Sequence, residues 1–332
     1  MLFPSPLEPD DEILLVSPSS NTPFLVPSRL ARGMAGLQAS GFRPRLGRNA
    51  VTAEEPSKAT IKGRVADLHE GFSDPSVRAI VSTIGGWASH QVLEALDVAL
   101  IRKNPTWFIG YSDSTSIHLL LNKFAGVASV YGPALLPQFG EYNGPNPYSV
   151  HSLMEATSGK GFTPRWPGFR IDEWLRWDVD DDRARRITRS DDVAVLREGA
   201  CEGSVMAANF ETLMSHAGTQ YWPDLRNKVL FVELSDSARQ WEALRLVHQL
   251  AQQPGFNELA GLVLGVVPAG TGIAADVVHE RLAQLTSSHS FPVVIGLPFG
   301  HVDPIMSIPV GAKARLSAKG QKVVSLSFGA YT

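Results

Sequence analysis

Four segments place a serine, a histidine, a carboxylate or a glycine pair where an apolar run gives way to a turn, and together they hold the residue types of acyl transfer. The first is Trp107-Phe108-Ile109-Gly110-Tyr111-Ser112-Asp113-Ser114. A buried-strand pattern runs into Gly-x-Ser, and a helix pattern follows at once. A serine on such a turn is held out at the carboxyl end of a sheet, with backbone N–H groups of the helix start facing it. Ser114 stands where a nucleophile elbow usually has its second glycine, and a serine that only caps the helix would give the same local pattern. The second segment is Ser82-Thr83-Ile84-Gly85-Gly86-Trp87, where two glycines let the backbone approach a ligand and offer donors to an oxyanion, or simply turn the chain. In Leu297-Pro298-Phe299-Gly300-His301, a histidine on a loop after a strand suits a general base, though a lone histidine also serves structure. The last is Glu233, closing the apolar run 228–233, with Asp236 as the nearby competitor.

Three other features carry less. Gly270-Thr271-Gly272-Ile273-Ala274-Ala275 follows a strand pattern and precedes a helix, like a dinucleotide-binding turn, but the acid expected after the next strand is missing from 291–296. Asp178, Asp180, Asp181 and Asp182, followed by Arg183, Arg185 and Arg186, read as a solvated charged face rather than a metal site. The single cysteine, Cys201, excludes an internal disulfide and a cysteine-based metal site, and reads as a buried packing residue.

The elements that must position these residues alternate. Apolar strand patterns at 13–16, 42–46, 77–84 and 106–110 are separated by helical patterns at 29–39, 61–70 and 91–101, and 114–124 is helical again. Such alternation predicts a parallel sheet with helices on its faces. Residues 139–187 break the pattern with Gly, Pro and aromatics, and read as a structured connection between domains. Strands at 194–196, 228–233, 259–267 and 291–296, helices at 239–250 and 274–285, mixed strand and helix over 204–214, and a hairpin turning at 318–320 make up the rest. The expected fold class is α/β: an N-terminal nucleophile-bearing domain over 1–150, an aromatic-rich loop over 151–190, and a smaller C-terminal α/β domain over 191–332.

The chain has 332 residues, 44% hydrophobic and 19% charged, so a large core is expected and global disorder is excluded. A net charge of −3 argues against a nucleic-acid partner. The first residues are acidic and proline-rich, unlike a secretory signal, and no run is apolar enough for a membrane span. A cytoplasmic protein is expected, with a loose tail to about residue 10.

Read together, the segments resemble the LD-carboxypeptidase family of serine peptidases, which includes the microcin C self-immunity hydrolases. The resemblance rests on Arg64-Val65-Ala66-Asp67-Leu68, Phe72 to Pro75, Ile84-Gly85-Gly86, Leu93 to Asp97, Asn104-Pro105, Phe108 to Asp113, Tyr131-Gly132-Pro133, Glu202-Gly203, Asn209, Gly218-Thr219, Pro223-Asp224, Phe231 to Glu233 and Phe299-Gly300-His301. It implies two α/β domains with the site between them, a homodimer, and a Ser112–Glu233–His301 triad working without metal or organic cofactor. Gly86 and Asp113 N–H groups would form the oxyanion hole, and Gly85 and Asn209 would meet the substrate. Trp174 and Trp177 lie in the loop from which immunity-type members stack an aromatic on the substrate's base. The implied substrate is a small peptide or peptidyl-nucleotide cut at its C-terminal amide; release of D-alanine from muropeptides is the alternative. A non-catalytic small-ligand binding protein and a nucleotide-dependent dehydrogenase are the rivals from other classes. The chain departs from the common family pattern at Trp87-Ala88-Ser89-His90 and Ala207-Ala208-Asn209, which bears on substrate choice.

Overall fold

A computed structural model describes residues 1–171 and 173–331. The first half runs β1 (Glu12–Val16), α1 (Thr22–Leu25), α2 (Pro27–Ala39), β2 (Arg43–Leu46), α3 (Ile61–Ser73), β3 (Val77–Ser82), α4 (Val98–Lys103), β4 (Trp107–Gly110), α5 (Thr115–Leu120), β5 (Ser129–Tyr131) and α6 (Pro147–Thr157). A small antiparallel ribbon, β6 (Phe169–Ile171) with β7 (Ile187–Arg189), follows. The second half runs β8 (Ala194–Arg197), β9 (Gly199–Asn209), α7 (Phe210–Ser215), β10 (Lys228–Glu233), α8 (Gln240–Ala251), β11 (Gly261–Gly265), α9 (Ala275–Thr286), β12 (Val293–Leu297), β13 (Ile308–Val310), β14 (Lys313–Lys319) and β15 (Val323–Phe328).

The N-terminal sheet has the order β13-β5-β4-β3-β1-β2. Strands β1 to β5 are parallel, and β13 joins antiparallel to β5, so the chain returns to this sheet near its end. Its central strands β1, β3 and β4 are apolar without alternation because both faces are covered. Ile13, Leu15, Val81, Trp107 and Ile109 enter one core, while Leu14, Val16, Ile80 and Phe108 enter the other. Helix α2 lies very close to the segment after β5: a Cβ on Gly36 would come within 2.3 Å of the Phe139 carbonyl oxygen.

The C-terminal sheet has the order β15-β14-β9-β10-β11-β12-β8, with β9 to β12 parallel. The terminal hairpin forms as expected, and β14 alternates exposed and buried residues along its length, as a strand with one solvated face should. The core of this half extends across to Tyr111, Leu119 and Tyr131 of the first.

Three expectations are corrected. The first ten residues are not loose: Leu7 is buried, Leu2 bridges to Val127, Phe3 stacks on Tyr331, and the Ser5 carbonyl accepts from Trp107 Nε1 at 2.8 Å. Their apolar side chains are tied down by distant core residues that local composition does not report. The helix expected over 91–101 is broken at Leu96, because Asp97 caps α4 by accepting from Ala99 N and Leu100 N at 2.9 and 3.0 Å. The patternless stretch 139–187 contains a full helix, α6, started by Asn146 and Pro147.

In the charge run, Asp178, Asp180, Asp182, Arg183 and Arg186 are exposed, as a solvated face requires, while Asp181 and Arg185 turn inward. Asp181 pairs with Arg29 and Arg32, and Arg185 pairs with Glu141 and Asp303; all but Arg32 are largely buried. Arg29 in turn holds Glu141, so these pairs bind the loop onto α2 and the segment after β5. Among the described residues no cluster of acids, histidines or cysteines could hold a metal, and no helix is long and apolar enough to cross a membrane.

Candidate active site

Carboxyl ends of strands from both sheets meet at one cleft of about 700 Å³. From the N-terminal sheet come Ser20 after β1, Gly85 and Gly86 after β3, and Tyr111 and Ser112 after β4. From the other come Asn209 at the end of β9, Ser235 and Asp236 after β10, and His301 after β12. The reversal of strand order between β1 and β3 opens a crevice at this end of the sheet, the usual ligand position in such folds.

Ser112 has φ +62°, in the left-handed region that non-glycine residues avoid. This conformation costs about 1–2 kcal/mol. It persists because β4 arrives extended at Tyr111 while the 3₁₀ turn Ser112–Ser114 starts α5 immediately, so the reversal falls on one residue. The neighbouring glycines make the room. A Cβ on Gly85 would lie 2.6 Å from Ser112 Cβ and 2.7 Å from its Oγ, and one on Gly110 would lie 2.7 Å from Ser114 Oγ. The Gly85–Gly86 turn is fixed from both sides. Trp87 N–H donates to the Ser19 carbonyl at 3.3 Å, and Asp113 carboxylate accepts from Ser89 N–H at 2.8 Å. Asp113 is buried and does not line the cleft with its side chain.

Glu233 is fully buried at the end of β10. Its Oε2 accepts from His301 Nδ1 at 2.8 Å and from His301 N at 3.2 Å. Committing Nδ1–H to the carboxylate leaves Nε2 as the ring nitrogen available in the cleft. The Tyr111 ring meets the imidazole edge-on at 5.0 Å. Burial pulls the imidazole pKa down, but the charge and hydrogen bond of Glu233, with Asp236 and Glu211 beyond, outweigh it and raise the value to about 9. The structure therefore brings Ser112 and His301 to one cleft and sets Glu233 behind the histidine.

The remaining expected residues divide. Gly85, Gly86, Asn209, Trp174 and Trp177 all line the cleft. Trp174 is 70% exposed, whereas Trp177 packs on the N-terminal core beneath the Arg29 guanidinium at 4.2 Å. Asn209 is buried and caps α7: its Oδ1 accepts from Thr212 N and Oγ1, each at 2.9 Å, while Nδ2 donates to Glu211 at 2.9 Å. Cys201 is half-buried against Gly261, and burial raises its thiol pKa to about 11, as a packing residue requires. At Gly270 and Gly272 a Cβ would meet no protein atom within 4 Å, so within the fold these glycines answer to the positive φ of the loop.

Sequence reasoning passed over Glu211 and gave Tyr131 no role of its own. Glu211 accepts from Ser235 N and Oγ at 3.0 and 2.7 Å, and burial followed by the Glu233 charge raises its pKa. Tyr131 donates to Glu233 Oε1 and accepts from Ser112 N. Each sits at the end of a strand or the start of a helix, which is the one local signal they carry.

Residues 13–132 match the LD-carboxypeptidase N-terminal domain, and residues 202–316 match the LD-carboxypeptidase C-terminal domain. The chain belongs to the LD-carboxypeptidase family. It is a serine carboxypeptidase-type hydrolase by that membership. The chain is 27% identical over 319 residues to the putative carboxypeptidase YocD of Bacillus subtilis, covering 96% of each chain. It is 28% identical over 331 residues to the microcin C7 self-immunity protein MccF of Escherichia coli, covering 97% of this chain and 95% of that protein. The crystal structure of an MccF-like protein from Bacillus anthracis superposes with a TM-score of 0.92 at 27% identity, covering all of both chains. A structure of MccF in complex with aspartyl sulfamoyl adenosine superposes with a TM-score of 0.89 at 26% identity, covering 99% of this chain and 98% of that one. The fold expectation of this family holds: a parallel-rich N-terminal sheet domain and a second sheet domain at the C-terminus.

Proposed function

We propose that the protein cleaves the C-terminal amide of a small peptide or aminoacyl-nucleotide conjugate through Ser112, His301 and Glu233. The observation that carries this reading is the strained Ser112 turn facing the same cleft as a histidine backed by a buried glutamate. Ser112 Oγ attacks the amide carbonyl carbon while His301 Nε2 takes its proton. Glu233 holds the imidazole tautomer and stabilises the cation that forms. The proton then passes to the leaving amine, and a water activated by the same nitrogen hydrolyses the ester on Ser112. Ser112 N–H is already engaged by Tyr131, so Gly86 and Asp113 N–H are the donors left for the oxyanion, each worth about 3 kcal/mol in a transition state.

The nucleotide-type leaving group is supported by the exposed indole of Trp174 over the cleft, a free face on which a base can stack. Release of D-alanine from a wall tetrapeptide is the second reading, and the charge of the lining favours it. The lining guanidiniums, Arg29 and Arg185, are both held by carboxylates, while among the described residues no lysine or arginine pairs with Glu55, Glu211 or Asp236. That wall suits an acyl residue bearing a free amine better than an acidic one. Mass-spectrometric hydrolysis of a muropeptide-type tetrapeptide beside an aspartyl or glutamyl sulfamoyl adenosine, with Ser112→Ala as control, decides. Cleavage of the nucleotide amide alone supports the first reading, D-alanine release alone the second, and turnover by Ser112→Ala removes both.

A further inference from the structure

Tyr131 is the residue that joins the nucleophile's turn to the acid. It ends β5, paired in register with Gly110 at the end of β4, and it is fully buried. Its phenol O–H donates to Glu233 Oε1 at 2.5 Å, and its oxygen accepts from Ser112 N–H at 3.0 Å. One hydroxyl thus meets the backbone of Ser112 from the N-terminal sheet and the carboxylate of Glu233 from the C-terminal sheet. The two oxygens of Glu233 then have separate partners: Oε2 has His301, and Oε1 has Tyr131.

We infer that Tyr131 is a positioning residue for the hydrolysis, holding Glu233 in line with His301 and pinning the strained Ser112 backbone through one hydroxyl. The inference rests on the serine-hydrolase reading above and extends it. The ring is clamped by Phe299 and Tyr111, each at 6.4 Å, and by His118 at 5.7 Å, so the hydroxyl has little freedom to leave. Burial first, and the Glu233 charge next, hold the phenol pKa well above its ordinary range, so the group stays a donor. Without that donor, a buried carboxylate oxygen is left unpaired, and the Glu233–His301 pair binds its shared proton more tightly whichever partner carries it. Other ionisable groups around the pair are Glu211 from α7, Asp236 after β10, Asp303 after β12 and His118 from α5; Tyr131→Phe touches none of them.

The test is the pH dependence of Ser112 phosphonylation by a fluorophosphonate, read by intact mass, in wild type and Tyr131→Phe. Tyr131→Phe should label about 10- to 100-fold more slowly, and its acid limb should move to higher pH. A second variant carries 3-fluorotyrosine at 131. It keeps the hydroxyl and strengthens it as a donor, so the acid limb should move to lower pH even if Tyr131→Phe fails to fold. Labelling rates and limbs within twofold of wild type in the folded variants overturn the role of Tyr131 alone. No adduct on Ser112 in wild type overturns the serine-hydrolase reading and this inference with it.

Discussion

Gly300 and Glu233 share a space that one side chain alone can fill. A Cβ on Gly300 would come within 2.1 Å of Glu233 Cγ and 2.2 Å of its Cδ, and Gly300 has φ +80°. The carboxylate reaches His301 because the preceding residue has no side chain and turns left-handed. Gly300→Ala should lower stability by about 2–4 kcal/mol, combining a backbone penalty with a clash against a fully buried group. Urea unfolding checks the stability, and labelling of Ser112 should be lost with it. A variant of wild-type stability and reactivity would show that the turn relaxes freely.

The turn at Ser112 predicts a trade between stability and turnover. Ser112→Gly removes the Cβ that makes φ +62° costly, whereas Ser112→Ala keeps it. The glycine variant should be the more stable of the two by about 1 kcal/mol, and neither should turn over substrate. Thermal melts of the pair check this; equal melting temperatures would mean the strain is absent.

Raising the His301 pKa to about 9 has a sign that can be followed in activity. The base must be neutral to accept a proton, so kcat/KM should rise with pH through a midpoint above the ordinary histidine value of about 6.5. Asp236 and Glu211 add to the upward shift. Asp236→Asn should therefore move the acid limb to lower pH, with kcat little changed on the plateau. The same shift stabilises the fold below the ordinary histidine pKa, and that contribution is lost as pH rises through about 9. An acid limb at or below the ordinary value would place the rate-limiting ionisation elsewhere.

Trp174 and Trp177 should separate cleanly. Trp174 is 70% exposed, so Trp174→Ala should leave the melting temperature unchanged and raise KM for a nucleotide amide by about tenfold. Trp177 covers the core and stacks under Arg29, so Trp177→Ala should destabilise by about 1–3 kcal/mol. Urea unfolding and steady-state kinetics on the same preparations check both; a KM unchanged by Trp174→Ala removes the stacking role.

Where the chain repeats a local rule, its sequence discloses the structure. The strand-to-helix turn at Gly110 to Ser114, the apolar runs of β1, β3, β10 and β11, and the terminal hairpin follow from periodicity and turn chemistry alone. What was hidden depends on partners far along the chain. Tyr131 lies on a three-residue strand whose importance comes from Glu233, 102 positions away. Arg29 and Asp181 form a buried pair across 152 positions, so Asp181 departs from an otherwise exposed charge run for a reason its neighbours do not carry. The N-terminal tail looked loose because its proline spacing is local while its anchors, Val127, Trp107 and Tyr331, are not.

The central claim is that His301, backed by Glu233, activates Ser112 as the nucleophile. The most direct measurement is intact-mass and peptide mapping after exposure to a fluorophosphonate, for wild type, Ser112→Ala, His301→Ala and Glu233→Gln. The account predicts one adduct on Ser112 in wild type, none in Ser112→Ala, and labelling slowed by about a hundredfold or more in the other two. An adduct on a different serine, or labelling of Ser112 at full rate without His301, would contradict it.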